Sequence, residues 1–358
     1  MKKVGFRAVL TAFAIVLLLM LGCKDGKEDD GFRHASAPVA AADTLRSKDW
    51  RPVLVDSKYG YANPANELVL PPLYNEARHF SEGLAFVRIG RDTGYIDATG
   101  KRVIQAEGGD FQNGMAVVMK QSDEQAAYAG ESWIYIDKNG ENVLNKQFYR
   151  ANAFSEGLAS VMPDESGGMV FMDPSGKTAL DTVYGYAGNF QEGYAVVMLR
   201  QKWGFIDKQG NPLTGFAYDA ARDFVEGKAA VMRGDRWGFI DKDGNEIIPP
   251  QYDEVGPFTE GLAKFESDGL WGFIEASGRV RVQATFPHTK GFSEGLAVVQ
   301  HANGLWGYID TNGAYRIEPR FEAAFGSENG TMLVKLPETG EYGYVDHNGN
   351  EVRFSSKP

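Results

Sequence analysis

Trp237-Gly238-Phe239-Ile240-Asp241 is followed 34 residues on by Trp271-Gly272-Phe273-Ile274-Glu275 and preceded 34 residues back by Trp203-Gly204-Phe205-Ile206-Asp207. Trp306-Gly307-Tyr308-Ile309-Asp310 is a fourth close copy, and weaker ones begin at Tyr59, Thr93, Trp133, Met169 and Tyr342. From first to last the spacings are 34, 40, 36, 34, 34, 34, 35 and 36 residues. So steady a period means nine copies of one supersecondary unit, not several unrelated domains.

Two further signatures keep phase with the anchor. Asp-x-x-Gly follows it at Asp97/Gly100, Asp137/Gly140, Asp173/Gly176, Asp207/Gly210, Asp241/Gly244, Asp310/Gly313 and Asp346/Gly349. This predicts a hairpin turn in which Asp accepts a backbone bond from two residues on and Gly takes the positive φ. Phe-x-Glu-Gly-x-Ala then recurs, beginning at Phe80, Phe154, Phe190, Phe224, Phe258 and Phe292, with Asn113 standing for Glu in the copy at Phe111. Two residues beyond each Ala stands an apolar side chain (Val87, Val118, Val161, Val197, Val231, Phe265, Val299), the alternation of a strand with one buried face.

The expected fold is therefore all-β, a tandem array of about nine units over residues 50–354, with 355–358 as a tail. Each unit holds about three short strands and two glycine turns. Propeller blades have four strands and usually 40 or more residues, and rings usually have 4–8 blades, so the arithmetic favours an open stacked array. A closed propeller-like ring is the alternative. The last copy stops after its first hairpin, and the first has Asn63-Pro64-Ala65-Asn66 where the others turn, as end caps would. The array closely resembles the WG-repeat (KWG-repeat) family, found mainly in bacteria and often in exported proteins. The resemblance covers about residues 52–354 and implies an architecture; the family has no established common activity.

Composition narrows the function classes. The 358 residues are 43% hydrophobic and 24% charged, ordinary globular values that exclude a wholly disordered chain. The 43 glycines and 12% aromatic content fit aromatic strands joined by tight turns. A net charge of −11 disfavours nucleic acid as a partner, since no broad basic surface is available to replace phosphate counterions. The one cysteine excludes an intrachain disulfide.

That cysteine lies at the end of an export signal. Lys2, Lys3 and Arg7 precede an apolar run from Ala8 to Leu21, which is short for a membrane span and is followed by Gly22-Cys23 and a polar stretch. Leu21-Gly22-Cys23 resembles the end of a bacterial lipoprotein signal. The resemblance implies cleavage before Cys23, acylation of Cys23 and attachment to the membrane by the N-terminal lipid, with Lys24 leaning toward the outer membrane. Residues 1–22 are then signal peptide, and 23–49 the lipidated Cys with a tether, reaching roughly 30 Å as a coil.

No catalytic motif stands out. Trp133, Trp203, Trp237, Trp271 and Trp306 occupy the anchor and read as core packing, with sugar-stacking platforms as the rival. Gly176-Lys177-Thr178 lacks the upstream Gly of a phosphate loop, because Phe171 stands there. Asp241-Lys242-Asp243-Gly244 has its Gly at the wrong position for an EF-hand. The five histidines have no metal-ligand spacing, so no metal or cofactor is expected.

The recurrent acidic position is the constellation above background. Stacking would align Glu82, Glu156, Glu192, Glu226, Glu260 and Glu294 along an edge. Glu192, Glu226, Glu260 and Glu294 are accordingly the candidate binding residues, attracting a basic partner or cations. The alternative makes them turn residues kept for local hydrogen bonding. The insertion from Lys120 to Ser132 and the segment 163–168 are further candidates for recognition. The leading expectation is a membrane-anchored, non-enzymatic binding module of the bacterial envelope, facing the periplasm or exterior and engaging a protein or envelope polymer. An envelope-glycan hydrolase with its site on the inserted loops, or a structural spacer, are the rivals.

Overall fold

The computed structural model describes residues 47–120 and 132–356, with the side chains of 355 and 356 excepted. The signal, Cys23, the tether up to residue 46 and the insertion at 121–131 lie outside the described residues.

Nine small antiparallel sheets follow one another along the chain. Blades 1 to 9 comprise residues 51–74, 76–104, 107–148, 150–184, 186–218, 220–252, 254–286, 289–321 and 323–352. Blade 6 shows the plan: Ala220–Ala221, Lys228–Arg233, Arg236–Asp241 and Glu246–Tyr252 pair in sequence order. The anchor begins the third strand. The second and third strands bury three or four consecutive side chains because both of their faces are covered by neighbouring blades.

The fourth strand explains why Gly follows Trp. Trp237 pairs with Tyr252 and Phe239 with Ile248, so the outer strand carries extra residues, including Pro249 and Pro250, across this point. A Cβ on Gly238 would lie 2.4 Å from the Ile248 carbonyl oxygen and 2.6 Å from the Pro250 nitrogen. Only glycine admits that crossing. The bulge and its prolines break alternation, and for that reason the sequence suggests three strands per unit where most blades have four.

Packing runs from blade to blade. The aromatic residue two beyond the anchor meets the Phe of the next blade's Phe-x-Glu-Gly turn in seven successive pairs, from Tyr61–Phe80 at 4.9 Å to Phe273–Phe292 at 4.7 Å. Where the first of these is tyrosine, its hydroxyl also donates to a backbone carbonyl of the next blade, as from Tyr61 to Arg78 (2.7 Å) and from Tyr95 to Gly109 (2.6 Å).

The array closes into a nine-bladed ring, the second of the two arrangements expected and not the open one. Blade 1 lacks an inner strand, since Arg51–Val55 is in register with the second strands elsewhere. Blade 9 packs directly against it: the Leu54 N–H donates to the Tyr344 hydroxyl (2.9 Å), and Val53, Ala62 and Tyr344 share a core. The buried Arg51 guanidinium lies over Tyr344 and Phe354 and donates to Asn66. Ser355–Ser356, expected as tail, pair in parallel with Glu67 and Leu68 of blade 1. Closure gives the terminal blades partners that end caps of an open array would forgo. Trp50, just before the first strand, is buried edge-on against Phe80 at 5.6 Å.

Candidate functional site

The strand order puts the turns after first and third strands on one end of the ring, and the hairpins between second and third strands on the other. The acidic positions all fall on the first end. In each Phe-x-Glu-Gly turn both central residues have positive φ, for instance Glu226 at 51° and Gly227 at 73°. Asn-Gly is the locally favoured pair for such a turn, and Asn113 has this conformation in blade 3. Glu is uncommon there and costs of order 1 kcal/mol, so its sixfold use calls for a role beyond the turn.

The role is a clasp between blades. Gly114 N–H donates to the Glu82 carboxylate (3.0 Å), Gly193 to Glu156 (3.1 Å), Gly227 to Glu192 (2.9 Å), Gly295 to Glu260 (2.8 Å) and Gly330 to Glu294 (2.9 Å). Glu226 accepts two bonds, from the N–H groups of Glu260 (2.7 Å) and Gly261 (2.9 Å). Each carboxylate thus binds the corresponding turn of the next blade. Lysines from that blade's Asp-x-x-Gly turn add charge at three clasps: Lys138 to Glu82 (3.3 Å), Lys208 to Glu156 (3.0 Å) and Lys242 to Glu192 (3.0 Å).

The clasps shift titration in one direction. Partial burial pushes the Glu156 and Glu192 carboxyls up, but the lysine and the backbone N–H groups outweigh it and hold both below their ordinary value. Glu294 is held low in the same way, against burial, by the Ser327 hydroxyl and the backbone of Asn329 and Gly330. Its clasp differs in having His347 where those of Glu82, Glu156 and Glu192 have lysine; the Ser327 hydroxyl contacts both Glu294 (2.6 Å) and the His347 Nε2 (2.7 Å).

The other expected positions are also structural in their contacts. Asp241 Oδ1 accepts from the N–H of Asp243 (3.0 Å) and of Asn245 (2.8 Å), while Gly244 has φ 81°, as the Asp-x-x-Gly pattern predicts. Trp237 is buried, with the Arg222 guanidinium 4.1 Å from its ring centre. Trp133, Trp203, Trp271 and Trp306 are half-buried in the same seat; Lys264 covers Trp271 and Tyr186 leans on Trp203. Among the described residues no three His, Cys, Asp or Glu side chains gather to hold a metal.

The opposite end is built differently. There the second-to-third-strand hairpins vary in length, from tight turns such as 234–235 and 268–269 to the longer segments 163–168 and 336–341, and the insertion at 121–131 joins strands Ala116–Lys120 and Ser132–Ile136. Of the ten exposed large apolar side chains among the described residues, six sit on this end: Tyr149, Val183, Tyr186, Leu270, Leu336 and Tyr342. Repeated residues tie the clasp end together, and variable loops with exposed apolar groups mark the loop end. The sequence marks these loops by their length, whereas the face they share is defined only by the ring.

A family model described as "WG containing repeat" matches residues 59–91, 133–163, 171–203, 203–237, 237–271, 271–306 and 306–336. No curated protein matches the sequence. Among solved structures, a eukaryotic initiation factor is similar over 84% of this chain and 94% of its own, at 11% identity and a TM-score of 0.58, a likeness of fold alone. BamB from Moraxella catarrhalis covers 84% of this chain and 95% of its own at 12% identity and a TM-score of 0.40. Virginiamycin B lyase from Staphylococcus aureus covers 57% and 83% at 14% identity and a TM-score of 0.32. Neither of these last two is close enough in shape to argue from.

Proposed function

The chain belongs to the WG-repeat family, and from its closed ring of repeats we propose a non-enzymatic binding module that presents its loop end to a protein or envelope polymer. One observation carries the reading: the glutamates that recur are engaged within the ring, whereas the features that vary from blade to blade, with most of the exposed apolar groups, collect on the opposite end. Rigid scaffolds with recognition on variable loops follow that division of labour.

The finer part of the proposal concerns place. The signal-like run ending in Gly22-Cys23 supports a bacterial lipoprotein, held to a membrane by acylated Cys23 and facing the periplasm or exterior, with Lys24 favouring the outer membrane. More than one acyl chain is needed for stable anchoring, since each buried CH₂ contributes only about 0.8 kcal/mol. The test is photo-crosslinking in intact cells from two positions, Tyr186 on the loop end and Asn139 on the clasp end. A discrete species captured from Tyr186 and competed away by unlabelled protein supports the reading. Capture from Asn139 alone overturns the choice of face.

A further inference from the structure

The inner edges of the blades repeat one more contact. The Arg222 N–H donates to Ala230, so in the alternating ladder the neighbouring Ala221 carbonyl is turned away from its partner strand. The equivalent carbonyl, three residues before the turn's Phe position, receives a side-chain N–H from the preceding blade at five junctions. Gly108 receives it from Arg78 (2.7 Å), Ala187 from Asn152 (3.5 Å), Val255 from Arg222, Thr289 from Lys264 (3.3 Å) and Ala324 from Lys290 (2.8 Å). All but Asn152 are cations.

Blade 5 supplies no such donor to blade 6. Gly188 stands where Arg78, Arg222 and Lys290 stand in blades 2, 6 and 8, and among the described residues no side chain donates to the Ala221 carbonyl. A Cβ on Gly188 would lie 3.5 Å from Asp223 Oδ1, 3.7 Å from the Tyr186 ring and 3.4 Å from the Val196 carbonyl, so the gap is walled by a carboxylate and an aromatic ring. Tyr186 in turn lies on Trp203, with ring centres 5.0 Å apart. Asp223 has no ion pair or hydrogen bond among the described residues, and burial pushes its carboxyl above the ordinary value. The other two glycines at this inner-strand position, Gly109 and Gly256, face Ala153 and Gly291 in the place of Asp223. Only the junction of blades 5 and 6 combines the gap with a carboxylate.

The ring itself shows what fits such a niche. Arg78 donates to the Gly108 carbonyl, lies 3.9 Å from Asp110, the counterpart of Asp223, and covers the Phe86 ring at 4.3 Å. One planar guanidinium serves carbonyl, carboxylate and aromatic ring together. We propose that the niche between blades 5 and 6 binds the side chain of an arginine carried by a partner protein, its guanidinium donating to the Ala221 carbonyl, pairing with Asp223 and covering Tyr186. The gap has room for one side chain, as its counterparts at Arg78 and Arg222 show, and that suits an arginine presented on another chain. It opens beside exposed Tyr186, so the proposal names the partner's chemistry for the loop end and rests on that reading only for the face.

The probe is N-acetylarginine amide, titrated up to about 50 mM into the full chain in detergent with isotope-labelled tryptophan, the Trp203 indole signal being assigned from Trp203→Phe. That signal should shift saturably while the other five indoles stay in place. Affinity should fall at least about fivefold for the neutral isostere N-acetylcitrulline amide, and likewise in Asp223→Asn. Gly188→Arg, whose new Cβ makes ordinary contacts, should melt at or above wild type and lose the response, because the chain then supplies its own guanidinium. No response, an equal response to the arginine and citrulline probes, or an unaltered response in Asp223→Asn and Gly188→Arg overturns the proposal. Free arginine binding at least tenfold more tightly than the blocked probe would assign the niche to a small guanidino compound and overturn it equally. Crosslinking from Tyr186 can succeed whatever the titration shows, so the niche and the loop-end reading fall separately.

Discussion

Replacing Glu192, Glu226, Glu260 and Glu294 together with glutamine separates the two roles available to the acidic positions. As a surface field the carboxylates would matter to association and leave folding alone. As clasps they hold blades 5 to 9 together by accepting five backbone N–H bonds, from Gly227, Glu260, Gly261, Gly295 and Gly330, and at Glu294 a further bond from the Ser327 hydroxyl. Glutamine keeps one acceptor oxygen, but turns an NH₂ toward the second donor and loses the charge that strengthens each bond. Hydrogen bonds to charged groups are worth about 1.5–3 kcal/mol, and these carboxylates stay open to solvent, with Glu192 29% and Glu294 38% exposed, so about 1 kcal/mol per clasp is the reasonable figure. The fourfold change should lower stability by about 3–5 kcal/mol and the melting temperature by roughly 5–10 °C. Circular dichroism melts provide the assay. The pH dependence follows with its sign: because Glu192 and Glu294 titrate below their ordinary value when folded, their stabilisation is complete above the unfolded carboxyl pKa and lost as pH falls through the lowered folded one. Wild type should therefore lose stability in acid more steeply than the fourfold variant. A variant that melts within about 1 °C of wild type at neutral pH, yet associates more slowly with a partner, would refute the clasp and restore the acidic rail.

Cys23→Ala should abolish acylation and partitioning into detergent; unchanged mass and partitioning would end the lipoprotein reading. Trp237→Ala should cost about 3–5 kcal/mol in chemical denaturation, the range for truncating a buried aromatic, and a loss below 1 kcal/mol would free the anchor for another role. Gly238→Ala, whose new Cβ meets outer-strand backbone at 2.4 Å, should destabilise by about 1–3 kcal/mol, while Gly343→Ala should be silent; equal effects would mean the strand crossing does not explain the glycine.

What was legible in the sequence was what the chain does locally. The Asp-x-x-Gly turns could be read because Asp241 bonds groups two and four residues on, and the alternation after each Ala because one strand suffices to show it. The clasps were half legible: the period reveals that Glu recurs, but not that Glu226 reaches Glu260 and Gly261 in the next blade, and the Glu in a turn suited to Asn was the available signal. Ring closure was hidden, because Leu54 and Tyr344 meet across 290 residues and no periodic pattern specifies how nine units curve. The outer strands escaped notice because Pro249 and Pro250 interrupt alternation at the bulge.

The closed ring bears the rest of the account, and a single disulfide tests it. Glu67 and Ser355 are directly paired in the parallel bridge between blades 1 and 9, a separation of about 4.8 Å that suits a disulfide. With Cys23→Ala removing the native thiol, the double variant Glu67→Cys, Ser355→Cys should oxidise to an intramolecular crosslink, detected by a mobility shift on a non-reducing gel that reductant reverses. An open array would hold these positions at opposite ends of nine blades; thiols that stay free, or that form only intermolecular dimers, would contradict the ring.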